Sequence, residues 1–298
     1  MKKVIVIAGV TASGKSKLAV ALAHKINGEI ISADSVAVYN ELNIGSAKPT
    51  LIEQDGIPHH LINIVSYTES YHVARFQLEA REAIDLIISK GKIPIIVGGT
   101  GLYINALLND YRFTEELELP EIDESLTNEA MMNELIQIDP VTASTIHINN
   151  RKRLIRSLQM VKCTKKPKAD LNSNKGKERL YDAKIYFLQG ERALLYERIN
   201  MRVEVMLNHG LLEEVSQLYS NDKNLFDYQS MQAIGYREFK PYFLGNSTID
   251  EVKTQIQQNT RRFAKRQITW FKHQTESTWI DVFNEEPLNR VLEDLKEW

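Results

Sequence analysis

Gly9-Val10-Thr11-Ala12-Ser13-Gly14-Lys15-Ser16 carries the spacing G-x-x-x-x-G-K-[ST]. Two glycines permit a tight backbone path, the loop amides and the start of a following helix face an anion, Lys15 brings a point charge, and the Ser16 hydroxyl can ligate Mg²⁺. The match has meaning only after an apolar strand and before a helix. Val4-Ile5-Val6-Ile7 precedes it, and Leu18, Ala19, Leu22 and Ala23 follow at helical spacing. A polyphosphate ligand follows from this cradle, but what leaves and what attacks does not. A nucleotide hydrolase or kinase would normally add a Walker-B aspartate at the end of a hydrophobic strand. Here the strand expected over Ile93 to Val97 runs into Gly98-Gly99-Thr100-Gly101, and there is no guanine-reading Asn-Lys-x-Asp motif.

Asp34 and Ser35 stand at the end of a second expected strand, Glu29 to Ser32. Asp34 there is either a proton acceptor or the cap of a turn with Ser35, and Thr100 in its glycine turn is either a site residue or structural. Arg202 shares a charged segment with Arg198, Glu197 and Glu204, which taken alone reads as a solvated helix face. His59 and His60 invite a metal reading, but adjacent histidines without carboxylate or cysteine partners read as structural. Cys163 is the single cysteine, so an intramolecular disulfide framework and a multi-cysteine zinc site are excluded; this fits a reducing cytoplasm.

The elements that must position these residues alternate strand and helix. After the second strand, Phe76 to Ser89 has helical periodicity and leads through Gly91 to the Ile93 strand. Buried strands alternating with helices predict a mostly parallel α/β sheet of the P-loop NTPase type, flanked by helices, with ligands at the carboxyl ends of its strands. From residue 105 to 177 the pattern turns helical and polar, broken by Pro120 and Pro140 and closed by the lysine-rich stretch from Lys165 to Lys177. We therefore expect a core domain of residues 1–104 and 178–298 with a helical insertion domain over 105–177. Ala183 to Leu188 reads as a returning strand. Helices are expected over Arg192 to Leu207, Leu211 to Tyr219 and Ile249 to Lys272, then a short strand near Trp279-Ile280-Asp281-Val282 and a last helix.

The 298 residues carry 43% hydrophobic and 26% charged side chains with a net charge of −2. No apolar run approaches the roughly 20 residues that a membrane span needs, and the overall charge argues against blanket nucleic-acid affinity. Local basic patches can still bind phosphates. Arg151, Lys152, Arg153 and Arg156 form one, continued by Lys162, Lys165, Lys166 and Lys168. A second, Arg261, Arg262, Lys265, Arg266 and Lys272, is interleaved with Phe263, Trp270 and Phe271. Basic residues among aromatics can hold RNA phosphates and stack unpaired bases; solvated helix faces with core aromatics are the alternative.

Taken together, the cradle, Ser32-Ala33-Asp34-Ser35 with Tyr39, Gly45-Ser46-Ala47-Lys48-Pro49, Pro58-His59-His60-Leu61 and Val97-Gly98-Gly99-Thr100-Gly101-Leu102-Tyr103 resemble the tRNA dimethylallyltransferase family. So do Asp139-Pro140, Ile146-His147, Arg153, Arg156, Ile234-Gly235-Tyr236-Arg237 and Ala264-Lys265-Arg266-Gln267-Ile268-Thr269-Trp270. The resemblance implies transfer of a dimethylallyl group from its diphosphate to N6 of the adenosine 3′ of the anticodon. It implies that Asp34 accepts or orients the amine proton, that Thr100 lies near the reacting centre and that Arg202 contacts the diphosphate. Gly9 to Ser16 would hold the diphosphate, with Ser16 on Mg²⁺. Asp34, Ser35, Val36, Ala37, Thr100 and the run Lys152, Arg153, Leu154, Ile155, Arg156 would meet tRNA. The location implied is cytoplasmic, and no zinc-finger extension or obligate protein partner is implied.

The chain departs from the family pattern in places. Val10 replaces a usual proline, Ala37 a usual glutamine, and Asn63 and Asn150 usual aspartates, while Thr127 stands nearest a usual RNA-contacting arginine. Ala37 removes one hydrogen-bonding side chain from the segment that touches the target base in the family. A small-molecule P-loop kinase, a prenyltransferase acting on free adenylate and an RNA-binding nucleotide switch remain as alternatives. The released product, pyrophosphate or ADP, separates the enzymes.

Overall fold

β-Branched runs become the strands of one parallel sheet. The computed structural model describes residues 1–111, 113, 120–123, 125–164 and 178–298. Its strands are β1 (Lys2–Gly9), β2 (Gly28–Ser32), β3 (His59–His60), β4 (Ile93–Gly98), β5 (Tyr181–Gln189) and β6 (Thr278–Asp281), in the order β3-β2-β4-β1-β5-β6. Every pairing is parallel, so the fold class expected from the strand and helix alternation is the one observed. β3 is only two residues long, too short to carry a periodic signal, and is an addition to the strands expected.

Along β1 the period of two distributes side chains to opposite faces. Val4, Val6 and Ala8 enter the larger apolar cluster, and Ile5 and Ile7 enter the smaller one on the other face. All five are fully buried, and each large side chain among them contributes about 1.5–3 kcal/mol by leaving water.

Helices α1 (Lys15–Ile26), α2 (Leu51–Gln54), α3 (Val73–Ser89) and α4 (Gly101–Leu108) fill the connections of the first half. α3 begins earlier than its apolar period suggests, because His72 accepts a hydrogen bond from Arg75 N–H and caps it. Later come α8 (Arg192–Asn208), α9 (Leu211–Asn221), α10 (Lys240–Phe243), α11 (Ile249–Gln274) and α12 (Pro287–Leu295). α11 starts in a capping box, Thr248 with Glu251, which satisfies two N-terminal donors reciprocally. Three short 3₁₀ turns between Leu225 and Phe239 carry no helical period and add to the elements expected.

The chain divides into one unit of Met1–Asn109 with Leu180–Trp298 and another of Asp110–Arg179. The second unit holds α5 (Asn128–Ile138), α6 (Pro140–Ser144) and α7 (Arg151–Thr164). Its own apolar cluster joins Ile122, Met131, Leu135, Ala143, Ile146, Leu154, Leu158 and Val161. The lysines at 165, 166 and 168 lie outside the described residues.

Candidate active site

The carboxyl ends of β1, β2 and β4 converge. Register pairs Ala8 with Gly98 and Ser32 with Val97, and Ala33 N–H extends the ladder by donating to Val97 O at 2.8 Å. The Gly9 to Ser16 loop, Asp34 and the Gly98 to Gly101 turn therefore leave the sheet side by side, as parallel α/β sheets arrange their ligands. α8 and α11 close the opposite side. The space between them is a cavity of about 330 Å³ lined by Thr11, Lys15, Asp34 and Thr100 from the sheet edge and by Arg202, Phe263 and Arg266 from the helices. Its remaining wall is largely apolar, with Ile199, Val203, Met206 and Ile256.

The cradle is less uniformly available to an anion than its motif suggests. Val10 N–H donates to Leu188 O at 3.2 Å, and its side chain is fully buried; the proline usual at this place could not make that bond. Ser13 N–H donates to Val10 O at 3.3 Å, and Thr11 N–H to Gln267 Oε1 at 3.1 Å. Among the described residues no side chain caps the start of α1, where the first amides of a helix have no partner within the helix. Lys15 Nζ donates to Val10 O at 2.7 Å. Burial holds its pKa far below the ordinary lysine value, at about 7, with the nearby Arg202 charge lowering it further and Asp34 opposing.

Asp34 both closes a turn and lines the cavity. Its Oδ1 accepts from Val36 N–H at 2.8 Å and Ala37 N–H at 3.3 Å, a side-chain-closed turn of the Asx kind. Oδ2 takes no hydrogen bond among the described residues, and the residue lines the cavity. Thr100 stands at the N-cap position of α4 but makes no capping bond through its hydroxyl. Arg202 is not a solvated ion-pair residue: it lines the cavity, donates from Nη2 to Ala47 O at 3.3 Å, and has its pKa lowered by burial against the opposing charges of Asp34 and Glu53. Sequence reasoning on charge pattern alone missed this, because a helix that lines a cavity and a helix that faces solvent can share the same pattern.

A smaller cavity of about 70 Å³ adjoins Lys15 and Asp34 and is lined also by Ser16, Ser32, Ala37, Lys48 and His59. The loop between the two cavities is held by Glu214, which sequence reasoning did not single out. Its carboxylate accepts from the N–H groups of Asn43, Ile44 and Gly45 and from the Tyr236 hydroxyl at 2.8 Å. Gly45 lies so near the Tyr236 ring that an added Cβ would come within 2.5 Å of it, which explains why the Gly45 and Gly235-Tyr236 segments belong together. Lys48 Nζ donates to Tyr39 O, Asn43 Oδ1 and Asn63 Oδ1, and burial brings its pKa down to about 8.

Both histidines have protein partners: His59 Nδ1 donates to Ile57 O at 2.8 Å. His60 Nε2 donates to Glu29 Oε2 at 2.8 Å beside Lys90 and Lys92. Burial alone would raise the Glu29 pKa, but hydrogen bonds from Lys92, His60 and Lys90 hold it at about 2. Among the described residues no group of three or more His, Cys, Asp or Glu could hold a metal ion.

The two basic segments separate by helical period. On α7, Lys152, Arg153 and Arg156 are exposed, whereas Leu154 is fully buried and Ile155 packs against the unit's core. Leu154 thus belongs to the core and has no surface to offer RNA, a correction that follows from the 3.6-residue turn. Arg151 is tied to Leu126 O at 2.8 Å and Asn128 Oδ1 at 3.0 Å. Asn150 Oδ1 accepts from Arg153 N–H at 3.3 Å and Thr127 Oγ1 from Ala130 N–H at 3.2 Å, so these two departures both serve helix starts. On α11, Arg262, Lys265, Arg266 and Lys272 are exposed and Arg261 donates to Asn200 Oδ1 at 2.5 Å. The interleaved aromatics mostly serve packing: Phe271 is fully buried against Phe187, and Trp270 covers Gly101. Only Phe263 faces the cavity, with the Arg266 guanidinium 5.6 Å from its ring centre.

Among the described residues no helix is long and apolar enough to cross a membrane. A family model described as IPP transferase matches residues 37–274. The chain is 43% identical over 300 residues to a tRNA dimethylallyltransferase of Bacillus cereus (strain B4264), covering 98% of this chain and 93% of that protein. It is 42% identical to a tRNA dimethylallyltransferase of Geobacillus thermodenitrificans, covering 99% and 95%. Among solved structures, a tRNA isopentenylpyrophosphate transferase from Staphylococcus epidermidis superposes with a TM-score of 0.76 at 37% identity, over 100% of this chain and 99% of that one. A eukaryotic dimethylallyltransferase captured acting on tRNA reaches a TM-score of 0.85 at 32% identity, over 99% of this chain and 78% of that one.

Proposed function

The chain belongs to the tRNA dimethylallyltransferase family, and from that premise we propose that it transfers a dimethylallyl group from dimethylallyl diphosphate to N6 of the adenosine 3′ of the anticodon in tRNA, releasing pyrophosphate. The observation that carries this reading is the composition of the larger cavity. Desolvated Lys15 and Arg202 suit a diphosphate, and the wall of Ile199, Val203, Met206 and Ile256 suits an apolar chain attached to it. The β4 strand ends in glycine where the Walker-B aspartate of a kinase would stand.

In the reaction N6 of adenine forms a bond to C1 of the prenyl group as the C1–O bond to the diphosphate breaks. The electron pair leaves with pyrophosphate, where Lys15, Arg202 and the first amides of α1 stabilise the developing charge. The amine proton goes to Asp34 Oδ2, the oxygen that the turn leaves uncommitted. Thr100, its hydroxyl free of capping duty, lies on the same cavity wall to orient the amine. A base in a paired or stacked loop must turn outward to enter such a cavity. Ser35, Val36 and Ala37 extend the Asp34 turn toward that base, with Ala37 offering no side-chain hydrogen bond.

Mg²⁺ forms part of the proposal. Ser16 and Ser32 place hydroxyl oxygens on the wall of the smaller cavity beside Lys15, donors of the kind that fit an oxygen-preferring cation shared with substrate phosphates. When bound it neutralises charge on the diphosphate. Lys152, Arg153 and Arg156 on α7, and the exposed cations of α11, would hold RNA phosphates, and the setting would be the cytoplasm. Incubation with tRNA and labelled dimethylallyl diphosphate tests the reading: label should pass to tRNA with release of pyrophosphate. Release of ADP from ATP, without label in RNA, would favour the kinase instead.

A further inference from the structure

Gln267 sits on α11 with 5% of its surface exposed, yet it is polar and faces the cavity. Both ends of its amide are used. Oε1 accepts from Thr11 N–H at 3.1 Å, and Nε2 donates to Gly99 O at 3.0 Å. Thr11 belongs to the diphosphate loop after β1, and Gly99 belongs to the turn after β4 that carries Thr100. The two loops leave adjacent strands, whose ladder ends at Ala8 and Gly98; beyond that point the Gln267 amide continues the connection. One side chain from a distant helix therefore bridges the loop for the leaving group and the turn for the incoming amine.

The packing of the turn against α11 leaves no room for a Cβ at two of its positions. A Cβ on Gly99 would lie 2.1 Å from Gln267 Nε2, and a Cβ on Gly101 would lie 2.2 Å from the Trp270 ring one turn further along α11. Glycine at both places lets the turn lie against the helix surface. The residue types at 99, 101, 267 and 270 answer one requirement, namely that the α11 surface serve as the template on which the Gly98 to Gly101 turn is laid.

We propose that Gln267 is a positioning residue for the transfer reaction: its carboxamide sets the distance between the diphosphate loop and the Thr100 turn, and so aligns the leaving group with the attacking amine. It acts through Thr11 and Gly99, to which both ends of its amide are committed. An alignment error of about 1 Å costs on the order of a hundredfold in rate, so a small change at this bridge has a large lever on transfer. This inference rests on the proposed function for its rate readout, and on the geometry alone for its binding readout.

The test compares wild type with Gln267→Met, which is similar in size but makes neither hydrogen bond, and Gln267→Glu, which keeps the acceptor for Thr11. Three quantities are measured on each: calorimetric affinity for inorganic pyrophosphate, single-turnover transfer to tRNA, and thermal unfolding. For Gln267→Met the expectation is a several-fold loss of pyrophosphate affinity and a loss of transfer at least about tenfold beyond it, at temperatures where the variant is fully folded. Gln267→Glu supplies a signature that mere destabilisation does not. A protonated carboxyl both donates and accepts as the amide does, whereas a carboxylate has nothing to donate to Gly99 O. Its transfer rate relative to wild type should therefore rise as pH falls from 8 to 6.

Folded Gln267→Met that binds pyrophosphate and transfers within twofold of wild type overturns the proposal. A Gln267→Glu to wild-type rate ratio independent of pH overturns it as well. Wild type that binds pyrophosphate but transfers nothing to tRNA overturns the proposed function instead; the Gln267 bridge is then decided by the pyrophosphate affinities alone, equal values overturning it. If Gln267→Met does not fold, Gln267→Glu decides by the same criteria.

Discussion

The cations of the cavity and those of α7 are proposed to hold phosphates in opposite surroundings. Lys15 and Arg202 stand against the cavity wall, where burial lowers both pKa values and Asp34 supplies the opposing charge. Lys152, Arg153 and Arg156 project from α7 into solvent, above a core residue, Leu154, that is fully buried. A desolvated charge interacts strongly with one ligand in one geometry but is costly while that ligand is absent. An exposed charge costs little, adds affinity through counterion release and is weakened by salt. The same residue types thus suit the reacting diphosphate in one region and a long polyanion in the other.

The sharpest way to break this comparison is to remove the carboxylate that the cavity cations oppose. Asp34→Asn keeps the turn, because asparagine can also accept from Val36 and Ala37 N–H, but it removes the carboxylate proposed to take the amine proton. Single-turnover transfer should fall by about 10² to 10⁴, with diphosphate and tRNA affinities within a few fold and thermal unfolding little changed. Near-wild-type transfer would take Asp34 out of the mechanism.

Next in size is Lys15→Ala. A hydrogen bond to a charged group contributes about 1.5–3 kcal/mol, so diphosphate affinity should fall on the order of ten to a hundredfold while tRNA affinity holds. Separate titrations check it, and equal loss of both ligands would erase the division between the two regions.

Arg153→Ala combined with Arg156→Ala should do the reverse. Affinity for tRNA falls, its log–log salt slope flattens by roughly 0.7 to 0.9 for each RNA phosphate that is no longer neutralised, and pyrophosphate binding stays the same. An unaltered slope would make α7 a solvated face and nothing more.

The smallest effect is in pH. With a folded pKa of about 7 against an ordinary 10.5 for Lys15, the unfolded chain binds the additional proton between those values. Stability contributed by this site therefore rises with pH across that window, and its full penalty is present below pH 7. Wild type should gain stability over Lys15→Met between pH 7 and 9 in denaturant titrations. Pyrophosphate binding at pH 8 should also take up a proton, seen as a dependence of calorimetric heat on the buffer's ionisation enthalpy; its absence would place Lys15 in a solvated setting like that of α7.

The sequence by itself determined five of the six strands and the edge of the sheet from which the glycine loop, Asp34 and the Gly98 to Gly101 turn leave. Apolar β-branched runs at β1, β2, β4 and β5 have few other ways to bury both faces, and the glycine loop between β1 and α1 is marked by its own spacing. It also marked Asp34 and Thr100, because strand ends are local. Tertiary structure alone decided what depends on a distant helix. Whether Arg202 meets solvent or a cavity is settled by where α8 packs, since its helix carries mixed charges on either account. Leu154 and Arg153 are neighbours in sequence, but the helical turn sends one into a core and the other into water. Glu214 gathering the amides of Asn43 to Gly45, and Gln267 joining Thr11 to Gly99, are hydrogen bonds across more than 150 residues of chain. No periodicity encodes such pairs: only the packed fold brings a buried amide, or a half-buried carboxylate, to the backbone groups it must satisfy.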